Sequence, residues 1–230
     1  MRRSEVNERI REAEAFLQRF LFLLPPWAHW DPEQWRREST RTRQVREHYL
    51  GWDLTDFGQG NFLRQGLVLF TLRNGSPAVP EGKTYTEKVI MLRDGQVNPF
   101  HFHWNKMEDI INRGGGTLVM ELMPADRETE EASRESFTVY IDGVARRCEA
   151  GERIELAPGE SITLYPYLYH KFQAEGSDVL VGEVSKVNDD KRDNRYLKPL
   201  GRFPTILEDE PPYRLLVSDY DDPRFGLTEG

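Results

Sequence analysis

Two histidines one residue apart, His101 and His103, followed five positions later by Glu108, are the residues that first suggest chemistry in this chain. Side chains alternate faces along a strand, so His101 and His103 point to one side. Phe100, Phe102 and Trp104 then point to the other, into a packing layer. Glu108 is far enough along to turn back and present its carboxylate at the same place. A third imidazole is available at His170, which follows Pro166 at the end of a strand beginning near Ser161. Three imidazoles and one carboxylate can hold a divalent cation and leave two positions of an octahedron open. Nitrogen and oxygen donors without thiolates suit Mn²⁺, Fe²⁺, Co²⁺, Ni²⁺ or Zn²⁺. The other two of the five histidines, His29 and His48, are read as ordinary surface or core residues.

The elements that must position this set are mostly short strands. Strand-like runs span Phe62–Leu72, Thr84–Arg93, Gln96–Trp104, Thr117–Met123 and Phe137–Ile141. More follow at Arg153–Glu155, Ser161–Tyr165, His170–Gln173 and Val179–Val187. Turn signals separate them: Asn74-Gly75, Asp94-Gly95, Gly114-Gly115-Gly116, Asp142-Gly143, Pro158-Gly159 and Glu175-Gly176. Many short strands with regular turns predict a β-sandwich or barrel over residues 52–187. The charged stretch Ala125–Ser136 is read as an exposed loop or short helix. Residues 1–50 are predicted helical. Ser4 is the expected N-cap, and Val6, Ile10, Ala13, Phe16, Leu17, Phe20, Leu21 and Leu24 form one apolar stripe that Pro25-Pro26 should end. A second helix should start at Asp31-Pro32 and a third near Thr42. The proline-rich residues 188–230 are expected to wrap the barrel, so that 1–230 forms one domain.

Composition narrows the function. The 230 residues carry 31 Lys+Arg against 39 Asp+Glu, a net charge of −8, which argues against nucleic-acid binding. The basic run Arg36–Arg46 is interrupted by Glu38 and reads as a solvated helix face. Cys148 is the single cysteine, so no intrachain disulfide forms, which suits a reducing cytoplasm. It is read as a partly buried thiol. No segment reaches the roughly 20 apolar residues of a membrane helix, and no signal peptide is apparent.

The string from Gly95 through His101, His103 and Glu108 to Gly115 has the spacing of the first cupin motif, without an insertion. Pro158-Gly159-Glu160, Pro166 and His170 resemble the second, with one residue fewer between Pro166 and His170 and with Ala174 where that motif has asparagine. Beyond the superfamily, the chain resembles the D-lyxose isomerase family. The pieces that carry this are Arg3-Ser4 with Asn7, Leu24-Pro25-Pro26-Trp27-Ala28, Lys88-Val89-Ile90, Gly182-Glu183-Val184-Ser185, Val187-Asn188-Asp189-Asp190 and Asp193-Asn194-Arg195. The resemblance implies a mainly β, jelly-roll-like cupin barrel with an N-terminal helical extension. It implies a Mn²⁺-dependent aldose–ketose isomerase acting on unphosphorylated sugars such as D-lyxose and D-mannose. By position, His101, His103, Glu108 and His170 would hold the metal, and Lys88 and Glu183 would be the catalytic pair. Cupins often pair, which makes a homodimer the expected state.

The local pattern accommodates those roles. Lys88 shares a strand face with Thr84 and Thr86, and a buried ammonium is costly without a partner. Glu183 shares a face with Val179 and Val181, where apolar neighbours should raise its pKa and make it a base. Isomerisation would proceed by proton transfer through a cis-enediol or by hydride shift. Asp190, Asp193 and Arg195 would bind sugar hydroxyls or lock the barrel rim by ion pairing. Trp27 and Trp30 are read as packing aromatics sooner than as a sugar platform. Three rivals stand beside the isomerase: a metal-dependent cupin dioxygenase, a phosphosugar isomerase needing an anion site, and a sugar-binding module without turnover.

Overall fold

The computed structural model describes residues 1–76, 79, 81–190, 192–201 and 204–227. Among them, three α-helices come first: α1 (Arg3–Arg19), α2 (Pro32–Arg37) and α3 (Arg43–Glu47). The strands are β1 (Gly51–Thr55), β2 (Leu67–Arg73), β3 (Tyr85–Leu92), β4 (Val97–Phe102), β5 (Glu108–Pro124), β6 (Phe137–Ile141), β7 (Val144–Cys148), β8 (Arg153–Leu156), β9 (Ser161–Leu164), β10 (Leu168–Lys186) and β11 (Arg195–Tyr196). They pair in the order β1-β2-β3-β10-β5-β9-β6-β7, with β4 joining β10 and β11, and β8 joining β5.

Two long strands carry this architecture. Near its start β10 pairs with β4, and over Val179–Lys186 it pairs with β3. Along both stretches it also pairs with β5, which bonds β9 near its start and β8 further on. Each strand therefore serves two parts of the sheet and bends it into a cupin-type barrel. The bend lies where the register of β10 against β5 shifts between Glu175 and Val179. Gly115 faces it with φ +102°, and a Cβ there would come 2.0 Å from the Asp178 carbonyl oxygen. Only glycine fits that conformation and approach.

Alternation sorts the core into two layers. Ile90 and Leu92 of β3 point into the barrel with Leu67, Leu69, Val179 and Val181. Val89 and Met91 point outward, where Val6, Ile10, Ala13, Phe16 and Leu17 of α1 cover them. The segment after residue 204 returns beneath the helices. Leu215, Val217, Tyr220, Phe225 and Leu227 pack with Trp35, which Trp27 and Trp30 meet edge-on.

Several boundaries differ from the sequence expectations. Ser4 is not the cap of α1; it lies in the first turn and donates from its N–H and hydroxyl to Asp209, while Arg2 occupies the cap position. The helix ends at Arg19, before the prolines. The Phe20 ring packs over Gly114, Leu21 adopts φ +54°, and Leu21 is left 85 % exposed. Gly114-Gly115-Gly116 lies inside β5, and the two runs expected at His170–Gln173 and Val179–Val187 are one strand. β1 and β7 were not foreseen, because inward Asp53 and Thr55, and Arg146-Arg147, break apolar alternation. The Asp31 cap of α2 and the start of α3 just after Thr42 are as expected, and Arg37, Arg41 and Arg43 pair with neighbouring glutamates as a solvated face.

Candidate metal centre and active site

His101 lies near the end of β4 directly across from His170 of β10, and His103 follows just beyond β4. Glu108 opens β5. Neighbouring strands thus bring four residues, spread over seventy positions of sequence, to one end of the barrel. Each imidazole is oriented by a main-chain carbonyl that accepts from its Nδ1: Pro99 for His101 at 2.8 Å, Asp193 for His103 at 2.6 Å, and Leu168 for His170 at 3.0 Å. A nitrogen facing a carbonyl oxygen must carry the proton, so each Nε2 presents a lone pair.

Those lone pairs converge. The Nε2 atoms of His101 and His170 lie 3.0 Å apart, with neither left a proton to share. Among the described residues, the Nε2 of His103 is the one buried side-chain polar atom without a hydrogen-bond partner. The Glu108 Oε1 sits 3.1 Å from the His170 Nε2 and 3.4 Å from that of His103. Facing lone pairs and an orphaned buried nitrogen are costly unless a cation lies between them. Burial, with neighbouring imidazoles, holds His101 well below its usual pKa; burial, with Lys106, lowers His103. Neutral imidazoles are the form that binds metal. The three buried histidines therefore fit a divalent ion, with Glu108 placed to complete the set.

Next to this cluster lies a buried network of charges. Lys88 of β3 is directly across from Glu183 of β10, and both side chains point inward. Their ammonium and carboxylate are 3.4 Å apart. Lys106, from the loop between His103 and Glu108, bridges Glu108 at 2.7 Å and Glu183 at 2.9 Å. Asn188 accepts from Lys88 at 2.7 Å and from Lys106 at 3.4 Å. Asn74 fixes Asn188 in turn: its Oδ1 accepts from the Asn188 N–H and the Thr86 hydroxyl, and its Nδ2 donates to the Asn188 carbonyl. Burial alone would raise the Glu183 pKa, as expected from its apolar strand neighbours. Lys106 and Lys88 outweigh that and lower it. Burial likewise pushes Lys106 down, yet Glu108, Glu183 and Asp190 together leave it raised, and Lys106 helps hold Glu108 well below the usual carboxylate range.

The three residues expected to bind sugar or lock the rim are in different positions. Asp190 lines the site cavity, 3.8 Å from Lys88. The Asp193 carboxylate accepts the N–H groups of Asn105 and Lys106, each at 2.9 Å, while its carbonyl orients His103. It ties down the loop that carries Lys106. Arg195 pairs with Glu130 and donates to the Tyr196 carbonyl, outside the cavity lining. Sequence reasoning missed Lys106, Asn188 and Asn74. Lys106 could have been found, because it sits inside the spaced metal string two residues before Glu108. The asparagines carry no such signal.

The fold and this cluster define a cupin-type barrel with a histidine site suited to a divalent metal. Residues 1–220 match the family model described as D-lyxose isomerase, and the chain belongs to that family. A D-lyxose/D-mannose isomerase of Serratia proteamaculans is 50% identical over 224 residues, covering 96% of this chain and 98% of that protein. Its counterpart of the same description in Escherichia coli O157:H7 is 49% identical over 224 residues, with the same coverage. Among solved structures, a mutant L-ribose isomerase of Acinetobacter sp. DL28 in complex with L-ribose superposes with a TM-score of 0.59 at 13% identity. That match covers 89% of this chain and 98% of the other, and it speaks to the fold.

Proposed function

We propose that this chain is a Mn²⁺-dependent aldose–ketose isomerase interconverting D-lyxose with D-xylulose and D-mannose with D-fructose. The observation that carries this is a buried carboxylate, Glu183, set beside the histidine cluster between two ammonium groups. The names of the half-identical relatives point to the same substrates. A divalent ion held by His101, His103, Glu108 and His170 would supply Lewis-acid stabilisation of charge on the substrate oxygens.

The chain's own residues handle the protons. Glu183, ionised because two ammonium groups face it, takes the C2 proton of the open-chain aldose and returns it to C1 of the resulting cis-enediol. Lys88, tied more loosely than Lys106, shuttles the other proton from O2 to O1. Lys106 is held by two carboxylates and fixes the orientation of Glu183. A dioxygenase has no use for this lysine–glutamate network. A phosphosugar isomerase needs cations free for phosphate, whereas Lys88 and Lys106 both face carboxylates. The proposed setting is a reducing cytoplasm, where the lone Cys148 stays a thiol. The proposed assembly is a homodimer that covers exposed apolar residues such as Leu21 and Leu23.

The test is NMR of metal-stripped protein reloaded with Mn²⁺ and given D-lyxose or D-mannose in D₂O. Ketose carrying deuterium at C1 supports the assignment and the proton route. Ketose without deuterium keeps the isomerase but favours hydride shift. No ketose from either sugar refutes the assignment and sends the question to oxygen uptake.

A further inference from the structure

Glu130, in the charged connection between β5 and β6, touches the chain beside three of the groups that hold the histidine cluster. Its Oε1 accepts from the Trp104 indole N–H at 2.7 Å and its Oε2 from the Arg195 Nε at 2.9 Å, while its main-chain carbonyl accepts from the Tyr169 hydroxyl at 3.0 Å. Trp104 follows His103, Tyr169 precedes His170, and Arg195 stands two residues after Asp193, whose carbonyl orients the His103 ring. The connection is folded so as to aim this carboxylate. Asp126 accepts the N–H groups of Glu128 and Thr129 and the Thr129 hydroxyl, and its carbonyl accepts the Glu130 N–H. The tight turn leaves Glu130 at φ +61°, a left-handed conformation that residues with a Cβ seldom adopt. Such strain persists where surrounding contacts over-determine it. Arg127 of the same turn lies 4.7 Å over the Tyr167 ring, which stacks on Phe102, and the Tyr167 N–H donates to the His103 carbonyl.

Arg195 belongs to the stretch of chain that crosses the site. It pairs with Phe102, and next to it Tyr196 pairs with His101. Asn194 and Tyr196 line the cavity at the cluster, whereas Glu130 lies outside that lining. The Glu130 carboxylate thus fastens two segments that must meet at His103. Through Trp104 it holds the segment that carries the ring, and through Arg195 the segment that supplies its carbonyl. An ionised acceptor taking two N–H donors is a strong tie.

We propose that Glu130 is a positioning residue of the metal centre: it clamps Trp104 to Arg195 and so holds the Asp193 carbonyl on the His103 Nδ1, which keeps the Nε2 lone pair aimed into the cluster. The proposal rests on the histidine cluster being a divalent-metal site and is independent of the sugar. The hydrogen bond behind a ligating imidazole fixes its tautomer and direction, and loosening it weakens metal binding.

The test uses the whole chain, stripped of metal and titrated with Mn²⁺, the free ion being read by electron paramagnetic resonance. A second sample is loaded with Co²⁺, whose visible bands report the arrangement of its ligands. Folding of each variant is checked by circular dichroism. Glu130→Ala removes both side-chain bonds. It should weaken the Mn²⁺ Kd by about 10-fold, the lower end of what disturbing the partner behind a metal ligand costs, and shift the Co²⁺ bands. Glu130→Gln keeps the size but has one acceptor oxygen where two are used, so it should fall between Glu130→Ala and wild type on both readouts. Glu128→Ala is the control, because it removes an equal charge from the same turn and Glu128 is exposed. It should leave both readouts at wild-type values. A folded Glu130→Ala protein that loses only thermal stability, with wild-type Kd or wild-type bands, overturns the proposal and leaves the metal centre standing. An equal effect from Glu128→Ala overturns it too, since nearby charge would then suffice. If Glu130→Ala does not fold, Glu130→Gln decides on the same two readouts. Wild type that binds neither Mn²⁺ nor Co²⁺ overturns the clamp and the metal site together.

Discussion

A carboxylate clasped by two ammonium groups is oriented before substrate arrives, and that arrangement makes Glu183 testable on its own. Glu183→Gln keeps shape and burial but cannot accept a carbon-bound proton. The expected loss in kcat is about 10²–10⁴-fold, with KM little changed, read by ketose formation. Lys106→Met leaves Glu108 and Glu183 buried without their shared cation. It should weaken Mn²⁺ retention by about 10–100-fold, measured by metal content after dialysis, because Lys106 orients a ligand it does not replace. Cys148 is buried, and burial, with Glu152 nearby, raises its thiol pKa. A thiol reagent should leave the native protein unlabelled and titrate one thiol per chain after denaturation. At this scale the four candidate ligands were legible because strand alternation and spacing carry them. The Glu183 environment was not: the residues before it on its strand face are Val179 and Val181, and its neighbours in space are ammonium groups from residues 88 and 106.

At the scale of elements, α1 is held by more than its apolar stripe. The Arg3 guanidinium is buried between Asp219 at 2.8 Å and Glu208 at 2.7 Å, and Asn7 bonds Glu210 and the Pro211 carbonyl. Arg3→Met should cost about 3 kcal/mol in urea unfolding, since it strands a buried carboxylate. The hydrogen bond from Arg3, against the opposing effect of burial, holds Glu208 below its ordinary value of 4.5. The unfolded chain protonates first, so this contribution is present above pH 4.5 and is lost as pH falls through the lower folded value. Melting curves should show wild type losing more stability than Arg3→Met between pH 5 and 3. Gly115→Ala should destabilise the barrel by about 2 kcal/mol or more, because φ +102° and the Asp178 carbonyl both oppose a Cβ. The stripe of α1 was readable from period alone. Its end was not, because it is set by a ring packing on Gly114 nearly a hundred residues later. The strands β5 and β10 were read as shorter pieces for a related reason: their glycines bend the sheet instead of ending it.

Across the whole molecule, the centre and the fold are coupled. A cation that binds only the folded chain adds about 2.7 kcal/mol at 100 times its Kd. For a chain of this size that is roughly 5–10 °C in Tm. Chelation with EDTA should lower the melting temperature by that amount and abolish turnover, and Mn²⁺ should restore both. The clamp on α1 has a further consequence in time. Its partners lie 205 and 216 residues further along the chain. During synthesis the helix leaves the ribosome long before these partners and then waits, its apolar face uncovered by the outer side of β2 and β3 and its arginine without a carboxylate, until residues 208 and 219 have emerged. A nascent chain stalled before residue 208 should keep that helix open to protease and to chaperones.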